Sequence, residues 1–373
     1  MNKISLIVIF IFIFMTFGLM TYYIGFKIYN SFKINKFICF GISILMTFIM
    51  LFGFMRSLLP IGTFLREVLK VLSSYVMGFY VYLLLFFLIS DLVLLIVKTF
   101  IFDIENIKLY SGLFVVILTL CTFVYGLING NSIKHVSYNV DLESKEDISD
   151  MNIVMISDLH LGAINSENRL KKIVPEINSL NPDLVLIVGD IFDNDYYAIK
   201  DVDGVVNLLG SIKSNYGVYA SLGNHDSGST FNLMMDILNK SNINVLMDDV
   251  AFIDNKLAVL GRLDENPIAG YSDVIVRGDV SDVIDEIELP LIVLDHNPMH
   301  IDEYDSKVDL ILSGHTHRGQ LFPANIITNA MYEVDYGYYL NDKTHVIVSS
   351  GVGTWSMPMR VGSHCEIVNI KIK

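Results

Sequence analysis

Long uncharged runs dominate the first third of the chain. Each is long enough to cross a hydrocarbon core of about 30 Å at about 1.5 Å of helix rise per residue. Backbone polar groups in lipid have to be satisfied within the segment itself, which favours helices. The pattern therefore predicts about four transmembrane helices, over residues 4–26, 37–55, 71–97 and 109–130.

The first of these runs has an alternative interpretation as a cleaved signal peptide. The apolar part of a signal peptide is normally about 7–15 residues long and ends at a small-x-small cleavage site. Residues 4–26 form a longer run with Tyr22 and Tyr23 near its end, and further apolar runs follow. This favours an anchor that stays in the protein.

From residue 151 onward, short apolar runs alternate with amphipathic ones. The predicted strands cover 153–157, 184–188, 218–222, 244–247, 251–254, 256–260, 291–295, 308–313, 345–350 and 366–372, and the predicted helices 167–178, 202–213, 231–239 and 281–288. Strands alternating with helices predict an α/β domain with ligands at the carboxyl ends of its strands. Two packed sheets are expected because the later strands outnumber the helices.

These patterns predict three parts. Residues 1–133 form a membrane region, residues 134–150 a linker, and residues 151–373 the α/β domain. The linker is assigned because this segment carries many charges and shows no apolar period.

The two parts of the chain also differ in net charge. Residues 1–134 carry ten Lys and Arg against four Asp and Glu, a net charge of +6, while the rest of the chain carries −20. An acidic second half argues against nucleic acid as a partner, because binding a phosphate backbone requires a basic face. Three isolated cysteines, Cys39, Cys121 and Cys365, form neither a disulfide framework nor a thiolate metal site.

The predicted location is the cell membrane, with several passes. With the N-terminus outside, five basic residues fall in the inner loops, and with the N-terminus inside, six do, which is close to a tie under the positive-inside rule. Three lysines after the first span slightly favour an extracytoplasmic α/β domain. Asp91 in the third span is expected at the interface or paired within the bundle, with a relay role as the less favoured alternative.

Polar residues that suit metal ions follow several of the predicted strands. Asp158 and His160 are two residues apart after the strand at 153–157, so both side chains can reach one ion. Similar groups occur at Gly189-Asp190, Gly223-Asn224-His225-Asp226, Asp295-His296-Asn297 and Gly314-His315-Thr316-His317. Strand ends brought together would collect two carboxylates, one amide and four imidazoles, namely Asp158, His160, Asp190, Asn224, His296, His315 and His317.

This donor set suits two divalent ions such as Mn²⁺, Fe²⁺ or Zn²⁺, without deciding among them. Two ions about 3.5–4 Å apart need a bridging anionic ligand, and one Asp can serve both. They would lower the pKa of a bridging water, which makes hydroxide available near neutral pH, and bind the oxygens of a phosphoryl group. Any one of these residues alone has a plainer explanation, such as Asp158 or Asp190 as a helix N-cap.

The ordered motifs Asp-x-His, Gly-Asp-x-x-Asp, Gly-Asn-His-Asp, His and Gly-His-Thr-His resemble those of the calcineurin-like metallophosphoesterases, in particular a bacterial membrane-anchored branch. The resemblance covers about residues 150–373. It implies a sandwich of two mixed β-sheets flanked by helices. It also implies one metal on Asp158, His160 and His317, a second on Asn224, His296 and His315, and Asp190 as the bridge. His225 would be the general acid or charge-stabilising donor, oriented by Asp226.

Other residues near these motifs keep two interpretations. Asp193 fits the second Asp of Gly-Asp-x-x-Asp or caps a helix, and Arg318, where relatives often carry Gly, binds a phosphate oxygen or faces solvent. The tyrosines around Gly337 either line a substrate groove or pack the loop; they are Tyr332, Tyr336, Tyr338 and Tyr339. The histidines outside the motifs are assigned structural roles; they are His135, His300, His345 and His364.

The expected activity is hydrolysis of a phosphodiester, a pyrophosphate or a phosphomonoester by a membrane-anchored enzyme with two metals. A lipid-linked or envelope substrate is one expectation, and membrane helices that act only as a tether are the other. A catalytically silent regulatory or interaction protein on the same scaffold is the main alternative. A transporter with an appended domain is a third, supported in the membrane region by Asp91 alone. The oligomeric state, the metal identity and the substrate stay open.

Overall fold

In a computed structural model, the structure describes residues 3–54, 63–99, 105–142, 148, 150–271, 275–304 and 307–373. The chain divides into two compact units, Met1–Leu127 and Ile128–Lys373.

The first unit is helical throughout its described elements. Its helices are α1 (Lys3–Phe32), α2 (Lys36–Phe54), α3 (Thr63–Val97) and α4 (Glu105–Asn131), the last of which ends inside the second unit. Each contains a stretch long and apolar enough to cross a membrane. This confirms the four predicted long apolar helices, of which α1 and α3 extend well beyond the predicted ends.

The apolar side chains of the first unit point both inward and outward. Ile24, Leu83 and Phe87 are buried between the helices, whereas Phe12 and Phe37 are more than two thirds exposed. A helix that is apolar on all sides is typical of a lipid environment rather than of a water-facing surface.

The second unit contains two six-stranded sheets. The strands are β1 (Ile133–Val140), β2 (Asn152–Ile156), β3 (Leu184–Val188), β4 (Val218–Ser221), β5 (Ile243–Val245), β6 (Asp249–Ile253), β7 (Leu257–Gly261), β8 (Leu291–Leu294), β9 (Leu310–Ser313), β10 (Gly337–Asn341), β11 (Thr344–Val348) and β12 (Cys365–Ile372). The first sheet has the order β1-β12-β2-β3-β4-β5, and the second has the order β10-β11-β9-β8-β7-β6. Both sheets are mixed. Strands β2, β3, β4 and β5 run parallel in the first sheet, and β7, β8, β9 and β11 run parallel in the second. The antiparallel pairs are β12 with β2, β6 with β7, and β10 with β11.

Helices cover the outer faces of the two sheets. They are α5 (Glu167–Ser179), α6 (Val202–Leu209), α7 (Phe231–Lys240) and α8 (Ser281–Glu286). A further helix, α9 (Ala324–Met331), buries none of its residues. The first sheet packs on α5, α6 and α7 through one apolar cluster and α8 packs on the second sheet through another. The two inner faces meet in a third cluster that includes Met155, Leu186, Ile292, Leu312 and Ile370. The predicted sandwich of two mixed sheets flanked by helices is thus confirmed.

The structure differs from the sequence analysis within residues 134–150. Most of the first half of this predicted linker is strand β1, which pairs in parallel with β12 from Ile133 opposite Cys365 to Val140 opposite Ile372. An edge strand exposes much of its length, and β1 is accordingly half polar, so it lacks the apolar period expected of a central strand. Residues 143–147 and 149 lie outside the described residues.

Candidate metal centre

The predicted ligands follow the carboxyl ends of strands from both sheets. Parallel strands bring these ends to one edge of each sheet, and packing of the sheets brings the two edges together. Asp158 and His160 follow β2, Asp190 follows β3, Asn224 follows β4, His296 follows β8, and His315 and His317 follow β9. Residues that are up to 159 positions apart in the chain therefore meet at one site.

Three of these side chains form a buried group around Asp158. The Nε2 atoms of His160 and His317 lie 3.0 Å apart. Asp158 Oδ1 lies 3.4 Å from Nε2 of His317 and 3.9 Å from Nε2 of His160. One atom of each residue can therefore face a single cation.

Asp190 belongs to a second group with His296 and His315. Its Oδ2 lies 3.2 Å from Nε2 of His296 and also 3.6 Å from Nε2 of His160, a member of the first group. Its Oδ1 accepts a hydrogen bond of 2.8 Å from the backbone N–H of His225. Asn224 joins the same group, since its Oδ1 lies 3.0 Å from Nδ1 of His315. Asp190 thus lies between the two groups.

The backbone at this site is strained. Five of the predicted ligands have a positive φ between 47° and 67°; they are Asp158, His160, Asp190, His315 and His317. Residues with a side chain rarely adopt this region, and such outliers concentrate at functional sites. Gly189, with φ of 68°, has no room for a Cβ, which would lie 2.5 Å from Nδ1 of His296 and 2.8 Å from the backbone nitrogen of Gly223.

Burial and mutual charge set the ionisation of these groups. Burial would raise the pKa of Asp190, but the charge of His296 outweighs it and holds that pKa well below its usual range. Burial would lower the pKa of His296, whereas the charge of Asp190 raises it well above the usual value. Burial lowers the pKa of His160 and of His315 to about 4, so both imidazoles are neutral near pH 7 and have a lone pair to offer.

His296 gives the sharpest indication that a cation fits this site. Its Nδ1 lies 2.9 Å from the carbonyl oxygen of Val188, to which it can only donate. Among the described residues, its fully buried Nε2 has no hydrogen-bond partner of good geometry, although it faces Asp190 Oδ2 at 3.2 Å. A nitrogen lone pair and a carboxylate oxygen repel each other at this distance unless a proton or a metal ion lies between them. The donors present therefore fit a metal ion.

His225 lies beside the two groups, and Asp226 follows it in the chain. The Asp226 carboxylate accepts hydrogen bonds from the backbone N–H groups of Ile191, Phe192 and Gly223, at 2.8–3.2 Å. It thereby ties the loop after β3 to the loop after β4. The described hydrogen bonds of this carboxylate go to backbone groups, and its predicted role of orienting His225 stays a prediction.

The carboxylate of Asp193 lies near the imidazole of His225. Its Oδ1 lies 3.8 Å from Nδ1 of His225, and the ring of His225 packs edge-on against the ring of His160 at 4.9 Å between centroids. Trp355 contacts the other side of His225 at 5.8 Å. Of the two interpretations of Asp193, the geometry favours a partner of His225 over a helix cap.

Arg360, which the sequence analysis did not single out, supports His317. This fully buried arginine donates hydrogen bonds to the carbonyl oxygens of His317 at 3.0 Å and Gly353 at 2.7 Å. Its Nη2 also lies 3.0 Å from Nδ1 of His317. Since a guanidinium can only donate, Nδ1 of His317 accepts and Nε2 points towards Asp158. Arg360 lies in no recognisable motif, so the sequence carries no signal for this contact.

Arg360→Leu is expected to destabilise the metal-free protein by about 2–4 kcal/mol, because it leaves several buried acceptors without a donor. Thermal unfolding of both proteins in the presence of a chelator measures the difference. Arg318→Leu is the matched control, since its guanidinium stacks on the ring of Tyr336 at 4.4 Å and its loss is expected to cost less than about 1 kcal/mol. Equal effects of the two substitutions would contradict this account.

The remaining candidates lie mostly outside the two groups. Tyr332 alone of the four tyrosines lies beside a predicted ligand, with its ring 6.2 Å from that of His315. The other three hydroxyl groups form hydrogen bonds elsewhere. That of Tyr336 bonds to Glu366, that of Tyr338 to His345, and that of Tyr339 to Glu333. Of the four histidines assigned structural roles, His135 contacts Glu176 and His300 contacts Glu265. His345 contacts Tyr338, and His364 contacts Glu366.

Comparison with known proteins identifies the family. The sequence model described as calcineurin-like phosphoesterase matches residues 151–319, which contain both groups. A metallophosphoesterase of Aquifex aeolicus is 32% identical over 241 residues, which is 63% of this chain and 90% of that protein. The chain belongs to the calcineurin-like phosphoesterases. Its matched domain is accordingly of the phosphoester-hydrolase type, and its candidate ligands suit two divalent metal ions.

Two further relatives in this family are similar to the chain. A metallophosphoesterase of Campylobacter jejuni is 36% identical over 243 residues, which is 63% of this chain and 62% of that protein. A protein of Danio rerio named transmembrane protein with metallophosphoesterase domain is 32% identical over 278 residues, 69% of this chain and 61% of that protein. The chain thus spans about three fifths of the length of these two relatives. With the four apolar helices, these findings support a membrane phosphoesterase.

Proposed function

We propose that the chain is a multi-pass membrane phosphoesterase that hydrolyses a phosphodiester, pyrophosphate or phosphomonoester bond of a substrate at the membrane surface. The observation that carries this proposal is the position of Asp190, whose Oδ2 faces His160 of one group and His296 of the other. In this proposal residues 1–133 form the membrane region and residues 151–373 the phosphoesterase domain.

The proposed ligand sets follow the two groups. Asp158, His160 and His317 would hold one metal, Asn224, His296 and His315 would hold the other, and Asp190 would serve both. Support comes from the distances within each group and from the neutral imidazoles of His160 and His315. The carbonyl oxygen of Val188 orients His296 from behind by accepting from its Nδ1–H, which is the role that surrounding hydrogen bonds play at metal sites. Arg360 holds the backbone of His317 in place through the carbonyl oxygen of that residue.

When bound, two such metals activate a water molecule for attack on phosphorus and neutralise charge on the phosphoryl oxygens. The chain supplies the remaining steps. His225 donates a proton to the oxygen of the leaving group, and Asp193, 3.8 Å from Nδ1 of His225, orients its ring. Asp226 keeps the backbone N–H of His225 directed at Asp190 by tying the two loops together. Trp355, nearly half exposed, borders the space in front of His225 and contacts the substrate.

A lipid-linked substrate is the form of this proposal that the four apolar helices favour. Helices that anchor the enzyme restrict its search to the membrane surface, where a lipid-linked phosphate ester is concentrated. The relative from Danio rerio, whose name joins a transmembrane protein to a metallophosphoesterase domain, supports the same combination.

Metal removal tests the proposed chemistry. The full-length protein, purified in detergent and stripped of metal by a chelator, is expected to lose hydrolysis of both a chromogenic phosphodiester and a phosphomonoester. Addition of Mn²⁺, Fe²⁺ or Zn²⁺ is expected to restore at least one activity, with about two metal ions bound per chain. Silence on both substrates with every metal would overturn the proposal and favour the regulatory protein on a phosphoesterase scaffold.

A further inference from the structure

One end of the helical unit contains a polar cavity of about 610 Å³. It lies where α1 and α3 end and α4 begins, and three lysines line it: Lys27, Lys98 and Lys108. Helix α4 lies close to α1 here, because a Cβ on Gly112 would collide with the side chain of Ser31. The cavity is therefore built by three helices rather than formed by a single surface depression.

The described side chains that line the cavity carry more positive than negative charges. Lys27, only 14% exposed, forms an ion pair with Asp91, which also accepts a hydrogen bond of 2.7 Å from the hydroxyl group of Tyr23. Asp91 is the only acid among the described residues that line the cavity. Among the described side chains that line the cavity, three lysines thus face one acid, which suits a group with one or two negative charges.

An apolar groove of about 420 Å³ adjoins the cavity. It is formed by α3 and α4, with Val93, Val97 and Phe114 among its lining residues, and it shares Leu94 and Ser111 with the polar cavity. At the junction, the hydroxyl groups of Ser90 and Ser111 are 2.5 Å apart and join the two helices. A polar pocket thus continues directly into an apolar channel.

We infer that the cavity and groove together bind an anionic phospholipid, with its phosphate between Lys98 and Lys108 and an acyl chain along α3 and α4. The ammonium groups can donate charge-assisted hydrogen bonds to phosphate oxygens, and basic pockets between membrane helices are known to recognise anionic headgroups. Cavity and groove follow each other in the order in which a phospholipid carries its charge and its chain. The inference rests on the proposed membrane insertion of the four helices, and it does not involve the metal centre.

Native mass spectrometry of the full-length protein in mild detergent tests the inference by counting bound lipids. Phosphatidylglycerol is expected to bind at least about tenfold more tightly than phosphatidylcholine. The double variant Lys98→Gln/Lys108→Gln is expected to lose most of this preference, since each lysine contributes about a fivefold gain in affinity for an anionic headgroup. Lys36→Gln is the matched control, because Lys36 begins α2 and does not line the cavity.

A second experiment distinguishes a bound lipid from a bound soluble phosphate compound. Val93→Trp is expected to block the groove and weaken phosphatidylglycerol binding, whereas excess glycerol 3-phosphate is expected not to displace the lipid. Equal binding of the two lipids would overturn the inference. Displacement by glycerol 3-phosphate that Val93→Trp does not affect would also overturn it, since the occupant would then be a soluble phosphate compound. Metal-dependent hydrolysis measured in the same samples shows separately whether the proposed function holds.

Discussion

Asp190→Ala is expected to lower kcat/KM for phosphodiester hydrolysis about 10³-fold or more and to reduce the metal content of the purified protein. The Asp190 carboxylate faces an imidazole of each group, at 3.6 Å from Nε2 of His160 and 3.2 Å from Nε2 of His296. Its removal withdraws the charge that keeps two cations close together, and the resulting loss of transition-state stabilisation is several kcal/mol, at about 1.4 kcal/mol for each factor of ten. Steady-state kinetics and elemental analysis measure the two effects.

Two further variants make this result interpretable. Asp190→Asn keeps the shape of the side chain and the acceptor for the backbone N–H of His225, so a folded but inactive protein is expected. Asp201→Ala is the control, because Asp201 only caps α6 by accepting from the backbone N–H of Gly204. It is expected to cost about 1 kcal/mol of stability and no activity. A wild-type kcat/KM together with two bound metals in Asp190→Ala would contradict the assigned site.

His225→Ala is expected to lower kcat about 10²- to 10⁴-fold while both metals stay bound, the range typical of a lost general acid. The reason is its position beside Asp193 and His160, outside the two proposed ligand sets. The loss should depend on the substrate. A nitrophenyl ester, whose leaving group needs little protonation, should suffer much less than a phenyl or alkyl ester.

The alternative role for His225 predicts a different result. His160, Asp193 and His225 could themselves hold a cation, since one ligand atom of each lies within 4.8 Å of the others. Loss of metal in His225→Ala, or an equal loss of rate for all leaving groups, would contradict the proton-donor role. His135→Ala is the control, because His135 lies on β1 and contacts Glu176.

Local sequence was sufficient to anticipate much of the fold and the meeting of the candidate ligands. Each ligand directly follows a short apolar run, and the geometry of parallel strands brings such positions together whatever the loops between them do. The strained backbone at Asp158, His160 and Asp190 could not be anticipated, because it depends on close contacts such as the one between Gly189 and His296.

Contacts between side chains that are distant in the sequence could not be predicted, for a related reason. Asp226 follows His225 in the chain, yet it bonds to the backbone of Ile191 and Phe192, and the neighbour of His225 is Asp193. Arg360 contacts His317 from 43 residues further along the chain. The direction of a side chain in an irregular turn is set by tertiary contacts, which neither spacing nor apolar period encodes.

Strand β1 affects whether proteolysis can release the phosphoesterase domain as a stable fragment. Helix α4 ends at Asn131 and β1 begins at Ile133, so a single residue, Ser132, separates them. A protease needs several extended, accessible residues, and this junction offers few. Cleavage beyond β1 would strip β12 of its parallel partner and expose the backbone of a buried, apolar strand to pairing with other chains. A released domain starting at residue 151 is therefore expected to aggregate, and the domain needs strand β1 to complete its sheet.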